Sequence, residues 1–354
     1  GHSVLPLYVD EKGLPVSPLG ALSHTAVYTT PSHQFPLGVS MPISRRVQLF
    51  TDSVIRRMTR ISEQYDAINL SQGYPDFDPP RPLLDRLAQV AYEGPHQYSV
   101  TYGAQNLREA LADKHSRATG RTVDPNAQVL VTCGGTEAMM SAMMTVCNPG
   151  DKVIVFSPFY ENYGADAILS GAEPIYIPLV PPAFDFDRAA LEDAFRQGAK
   201  AIIVCNPSNP TGKVFTREEL EYIGALAQRY DAYVITDEVY EHIVFAPFHH
   251  VHMAGLPGME DRTITCSSLS KTYSITGWRL GYLIGPAEVI EHAKKVHDFL
   301  TVGAPAPLQE AACVGVRFPQ SYYKELTALY TRKRDVFLKG LDRLGLKARV
   351  SGQG

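Results

Sequence analysis

Apolar and polar positions along the middle of the chain alternate between two periods. "AQVLVTCGG" is a short β-branched run entering a glycine turn, and "TEAMMSAMMTVC", directly after it, spaces its apolar residues along one face of a helix. The turn "NPGD" follows, then a strand "KVIVFSP", a helix "ENYGADAILSG", a strand "AEPIYIPL", a helix "DRAALEDAFRQG" and a strand "KAIIVCNP". A capping box, Thr216 with Glu219, opens the helix "TREELEYIGALAQRY", and the strand "AYVITDEVY" comes next. Strands "RTITCSS" and "WRLGYLIG" complete the run. Short apolar strands alternating with helices predict an α/β fold whose mostly parallel sheet carries helices on both faces. Ligands of such sheets bind at the carboxyl ends of the strands. The unusual residues of this chain stand at those ends: Gly134 and Gly135, Ser157 to Tyr160, Asn206 to Gly212, Asp237 to Tyr240, and Ser267 to Lys271. A single site is expected to collect them.

Different material brackets the alternation. Residues 1–44 read as an irregular arm, and "SRRVQLFTDSVIRRMTRISEQ" as one amphipathic helix. After residue 303, the helical "PAPLQEAACVGVRF" and "SYYKELTALYTRKRDVFLKGLDRLG" precede "LKARVSGQG", which resembles the opening of a strand. The expected organisation is the arm 1–44, the N-terminal part of a small domain over 45–75, a large ligand-binding domain over 76–302, and the C-terminal part of the small α+β domain over 303–354, apparently incomplete. No period of 20 to 50 residues repeats.

Composition narrows the function classes. The 354 residues are 45% hydrophobic and 20% charged, with 33 Lys and Arg against 37 Asp and Glu and a net charge of −4, so no basic field points to nucleic acid or an anionic membrane. The five cysteines, Cys133, Cys147, Cys205, Cys266 and Cys313, show neither a C-x-x-C pair nor zinc spacing. They read as small buried hydrophobes in a reducing compartment, and a cytoplasmic location is expected. The opening residues, rich in Pro and Gly, are assigned no function.

The candidate chemistry gathers around one lysine. In "SSLSKTYSITGWRLGY", Lys271 sits among small and hydroxyl-bearing residues, with Arg279 eight positions on. "CGGTEAMM" puts glycines and Thr136 just before a helix, where free N–H groups and the helix dipole suit a phosphate; a plain tight turn is the other reading. "SPFYENY" offers aromatic faces, with core packing the better reading for Phe159 and ring stacking open for Tyr160. Asn209, in "CNPSNPTG", can donate to a ring oxygen or serve only a turn. Asp237 ends an apolar strand, where a charge is costly unless something needs it, and it can balance a cationic ring nitrogen or cap the following turn. A desolvated lysine beside a cation becomes an amine nucleophile toward a carbonyl. A phosphate-bearing pyridine aldehyde, pyridoxal 5'-phosphate, joins all these parts.

The segments "INLSQGYPDF", "QYSVTYGAQNLREAL", "NPSNPTG", "DEVY" and "SLSKTYSITGWRLGY" together resemble the fold-type I aminotransferases of class I/II, in the branch of methionine and kynurenine-type aminotransferases, from about residue 66 onward. The resemblance implies a Schiff-base lysine at Lys271 and a partner for the pyridinium nitrogen at Asp237. It gives Tyr240 and Asn209 to the phenolic oxygen, Tyr160 to ring stacking, and Ser268, Arg279 and the backbone of Gly135 and Thr136 to the phosphate. Tyr98 is expected at the phosphate of a neighbouring subunit, hence a homodimer with shared active sites, and the Gly73 backbone against the substrate carboxylate. The Asn209–Pro210 bond is expected to be cis. The family's carboxylate-binding arginine is expected beyond residue 354; Arg332, Arg334, Arg343 and Arg349 do not match its motif and receive no such role. The implied reaction moves an amino group from an L-amino acid to a 2-oxo acid in a ping-pong cycle. Thr136 stands where some aspartate-using relatives carry a lysine, so an apolar, thioether or aromatic donor is expected; Thr136 as a mere helix cap is the other reading. A C–S β-lyase of the same fold and a non-catalytic cofactor-binding regulator are the alternatives. No metal is expected.

Overall fold

The computed structural model describes residues 45–346, 351, 353 and 354. The arm 1–44 and most of the expected final strand lie outside the described residues. Residues 46–354 form one compact unit.

The expected first helix is divided. Arg45–Gln48 make a 3-10 turn, and α1 (Val54–Gln64) begins only after Ser53, whose Oγ accepts from the Arg56 N–H as an N-cap. Two helices whose patterns the alternation did not cover follow, α2 (Arg81–Glu93) and α3 (Gln105–Thr119). The alternating region then gives β1 (Val129–Thr132), α4 (Gly135–Val146), β2 (Lys152–Ser157), α5 (Asn162–Leu169), β3 (Glu173–Val180), a two-residue β4 (Asp185–Phe186), α6 (Arg188–Arg196), β5 (Ala199–Cys205), α7 (Arg217–Arg229), β6 (Tyr233–Asp237), β7 (Thr263–Ser268) and β8 (Gly281–Ile284). Three helices close the described chain: α8 (Ala287–Leu300), α9 (Ala306–Val316) and α10 (Gln320–Arg343). The capping box of α7 forms as expected, Thr216 Oγ1 accepting from the Glu219 N–H and Glu219 Oε2 from the Thr216 N–H.

The strands build one eight-stranded sheet in the order β1-β8-β7-β6-β5-β2-β3-β4. The pairs β2–β3, β2–β5, β5–β6 and β6–β7 are parallel, whereas β8 runs antiparallel to β1 and β7. No α-helix intervenes between β7 and β8, so the chain cannot return to the starting edge and must reverse. This puts the first residue of β8, Gly281, opposite both Thr132 and Ser268. The carboxyl ends of β1 and β7 and the start of β8 therefore meet at one place.

Period-two alternation divides the side chains between two faces. Val153 and Val155 of β2, Ile203 of β5 and Ile235 of β6 pack with Met139 and Met143 of α4 and Ile290 of α8. Their neighbours Ile154, Phe156, Ile202, Val204 and Val234 join Leu191 and Phe195 of α6 and Leu220 and Ile223 of α7. At the β1 edge, Val129 and Val131 turn toward Leu107 and Leu111 of α3 and Ala312 of α9. The helices on both faces leave the strand ends as the open rim. All five cysteines are free, four of them buried, and burial pushes the Cys147 and Cys205 thiols up to about 12. Among the described residues, no helix is long and apolar enough to cross a membrane.

Candidate active site at the strand ends

Where β1 gives way to α4, Gly134 is the N-cap with φ 89°, and no side chain caps the helix. The first N–H groups of α4 are left for an external acceptor. The positive φ at Gly134 and the close approach at Gly281 call for glycine here. A Cβ on Gly134 would overlap the Arg279 guanidinium, and one on Gly281 would run into the Gly134 carbonyl and the Gly135 nitrogen. Gly135 lies over Ser268, whose Cβ would stand 3.4 Å from a Cβ added there. Arg279, in the left-handed region at φ 54°, donates from Nη1 to the Thr276 carbonyl at 3.0 Å and remains exposed. Helix N-terminus, Ser268 and Arg279 thus surround a seat for a divalent anion.

Asp237 ends β6 half-buried. Its Oδ2 accepts from the Tyr163 hydroxyl at 2.7 Å and its Oδ1 from the Val239 N–H at 3.2 Å. Burial pushes its pKa above the ordinary carboxylate value, with the Tyr163 and Val239 donors and the Lys271 charge pulling back. Lys271, also half-buried, donates from Nζ to the Gly73 carbonyl at 2.7 Å. Burial and then the Arg279 charge lower its pKa, while Asp237 opposes them. A lysine with weakened basicity and a carboxylate lacking a full cationic partner share the rim.

The remaining expected residues fall as follows. Tyr160 packs edge to face with Tyr163 at 5.8 Å, and Phe159 stacks on Tyr176 at 5.1 Å with the planes 6° apart, the packing role read for it. Tyr240 is half-buried beside Phe77 and Tyr330, its hydroxyl pushed up by burial. The Asn209 N–H donates to Cys205 Sγ at 3.4 Å, and the Asn209–Pro210 bond is cis. Thr136 is exposed and its Oγ1 accepts from Asn162 Nδ2 at 3.2 Å, so it does not cap α4. Gly73 meets Lys271 through its carbonyl. Tyr98 is 88% exposed, and among the described residues no hydrogen bond joins it to the rim.

Sequence reading missed the residues that hold this arrangement. Tyr163 sat in "ENYGADAILSG" as one apolar residue of a helix, yet it anchors Asp237 from 74 positions away. Glu137 lies 8% exposed in the first turn of α4, where its Oε2 accepts from the Cys133 N–H at 2.5 Å and so closes the glycine loop. Its Oε1 accepts from Thr301 Oγ1 at 2.9 Å and faces His297 Nδ1 at 2.6 Å, while His297 Nε2 meets the Thr101 carbonyl at 2.8 Å. An acid at the fifth position after a strand was the one signal available.

Both nitrogens of His297 face acceptors, which calls for the doubly protonated ring. Burial works against that charge, but the Glu137 carboxylate and the Thr101 carbonyl outweigh it and raise the pKa. A raised histidine pKa contributes stability that is fully present below the unfolded value of about 6.5 and is lost as pH rises through the folded value. His297→Gln is therefore expected to lower the melting temperature more at pH 6 than at pH 9. A gap that stays constant or widens with pH would show that the ring is neutral.

The donor set fits the phosphorylated pyridine aldehyde that the resemblance implies. A helix N-terminus with Ser268 and Arg279 suits its phosphate, Lys271 its aldehyde, and the cation-deficient Asp237 its ring N–H. The family of aminotransferases of class I and II matches residues 65–353. Kynurenine–oxoglutarate transaminase 3 of Mus musculus is 36% identical over 329 residues, covering 88% of this chain and 72% of the mouse protein. The methionine aminotransferase of Escherichia coli is 35% identical over 307 residues, covering 87% and 79% respectively. Among solved structures, the N-succinyldiaminopimelate aminotransferase of Mycobacterium tuberculosis superposes with a TM-score of 0.83 at 35% identity, over 86% of this chain and 80% of that one. A sheet whose rim gathers an uncapped helix N-terminus, a lysine of lowered basicity and a half-buried carboxylate, joined to these likenesses, makes the chain a member of the class I and II aminotransferases, a pyridoxal-phosphate-dependent enzyme that transfers amino groups.

Proposed function

We propose that the amino donor is an apolar, thioether or aromatic L-amino acid, and that the rim residues divide the work as follows. The observation that carries the division is Lys271 Nζ, held on the Gly73 carbonyl with its basicity lowered. When bound, pyridoxal 5'-phosphate supplies an aldehyde for imine exchange and a ring that takes up electrons from the donor's α-carbon. The α4 N-terminus, Ser268 and Arg279 would hold the phosphate. Asp237, kept in place by Tyr163, would hold the proton of the ring nitrogen. Asn209 and Tyr240 would serve the phenolic oxygen, and Tyr160 would stack on the ring. Lys271, once released to a donor, takes the proton from the donor's α-carbon, and a pKa below the ordinary lysine value favours the neutral amine this requires. Gly73 lies against Lys271, and its backbone is assigned to the substrate's carboxylate end.

A second copy of the chain supports the site in this reading. The Thr101 carbonyl on His297 sets the segment of Tyr98 and Val100 beside the end of α8, where Phe299 is 95% and Val302 50% exposed. Such a patch beside the glycine loop suits a homodimer partner, with Tyr98 reaching across it to the partner's phosphate.

Thr136 supports the donor class. It is exposed at the rim and bonded to Asn162 rather than to its own helix, so it offers a hydroxyl and no cation to an incoming side chain. An unpaired carboxylate in such a pocket costs several kcal/mol, enough to disfavour aspartate by about 100-fold or more.

Two measurements test these assignments. Borohydride reduction followed by peptide mapping is expected to find the pyridoxyl group on Lys271, and a label on another lysine overturns its role. Ratios of kcat/KM for methionine, phenylalanine and aspartate are expected to favour the first two, with Thr136→Lys raising the relative rate of aspartate. Aspartate as the best donor would contradict the reading, and pyruvate with free thiol as the main products would replace transamination by β-elimination.

A further inference from the structure

Glu238 follows Asp237, and strand alternation sends its side chain to the opposite face of the sheet. There it is 2% exposed in a second polar cluster that the aminotransferase chemistry does not use. Thr236 Oγ1 donates to Glu238 Oε1 at 3.0 Å. The other oxygen, Oε2, faces His250 Nε2 at 3.1 Å and His252 Nδ1 at 2.5 Å. The three donor atoms lie within 4.8 Å of one another. Beyond them, His252 Nε2 stands 3.6 Å from Glu241 Oε2, and Lys114 is already spent in an ion pair with Glu241.

We propose that Glu238 Oε2, His250 Nε2 and His252 Nδ1 bind one divalent transition-metal ion of the zinc type. Two imidazoles and one carboxylate are a zinc donor set, and three protein ligands leave a fourth position for water. Tetrahedral bonds of about 2.0–2.1 Å set neighbouring donors roughly 3.4 Å apart, so shifts of about 1 Å or less close the cluster on an ion. Binding requires the N–H protons that His250 Nε2 and His252 Nδ1 direct at Glu238 Oε2 to move to the far ring nitrogens or to solvent. Glu241, beside the far nitrogen of His252, is placed to orient that ring as carboxylates behind zinc-bound histidines do. His115, edge-on to His252 at 5.8 Å, is held neutral by burial, its pKa near 4, and so adds no repulsion. A cleft of about 750 Å³ lined by His252, Glu241, His242 and Tyr323 gives the ion a route from solvent. Bound there, it ties the loop carrying His250 and His252 to the residue next to Asp237.

The test uses chelator-treated holoenzyme of the full chain. Equilibrium dialysis against Zn²⁺, and titration with Co²⁺ followed by its visible bands, are expected to give one equivalent per chain with an increase in melting temperature. His252→Ala and His250→Ala are each expected to weaken binding by about 100-fold or more while the cofactor absorbance stays. Absence of a stoichiometric ion, or an unchanged equivalent in the double variant, overturns the proposal; the latter would put the ion on other histidines. Zinc-edge X-ray absorption of the unmodified protein decides independently of how the variants fold. Two imidazole nitrogens at about 2.0–2.1 Å support the site, and a spectrum without them rejects it.

Discussion

The end of β6 carries two consecutive carboxylates out of the same apolar strand, and each has to be answered where it emerges. Among the described residues Asp237 accepts only from a tyrosine hydroxyl and a backbone N–H, and burial outweighs them and leaves its pKa raised. Glu238, on the other face, meets two histidines; burial alone would raise its pKa, but His252 and His250 bring it well below the usual range. One acid is thus satisfied within the protein and the other is kept for a cationic partner. The proposed role of Asp237 rests on that asymmetry, because a fully paired Asp237 would have nothing to offer a ring nitrogen.

The rest of the rim is arranged around that carboxylate by backbone constraints. The reversal of β8 brings Gly281 against the Gly134 backbone, an approach that a Cβ on Gly281 would block. The same closeness lets Arg279, one residue before Leu280, lie over the N-terminus of α4. Glu137 then fixes the loop by accepting from the Cys133 N–H through Oε2 and holds His297 and Thr301, at the end of α8, through Oε1. The proposed phosphate seat is therefore held by a helix on one side of the sheet and a strand reversal within it.

Much of this was legible in the chain. Strand and helix periods gave the alternating core, and the capping box at Thr216 and Glu219 formed as written. Asp237, Lys271 and Gly135 stood out because each broke a local rule: a charge after an apolar strand, a lysine without charged neighbours, glycines before a helix. What stayed hidden depends on distant partners. Tyr163 and His297 look like ordinary helix residues until the fold brings them to Asp237 and Glu137. The reading of "SRRVQLFTDSVIRRMTRISEQ" as one helix failed because Ser53 caps a new start within it. The antiparallel course of β8 follows from the missing crossover helix, a property of the connection rather than of the strand's own residues.

Asp237→Asn examines the central claim most directly, since it keeps shape and removes the charge. Purified with its cofactor, this variant is expected to retain the fold and the pyridoxal absorbance while single-turnover amino transfer from methionine slows by about 100-fold or more. Transfer at a near-normal rate would mean that the ring nitrogen needs no carboxylate here, and that the unmatched charge at the end of β6 is not what the site is built around.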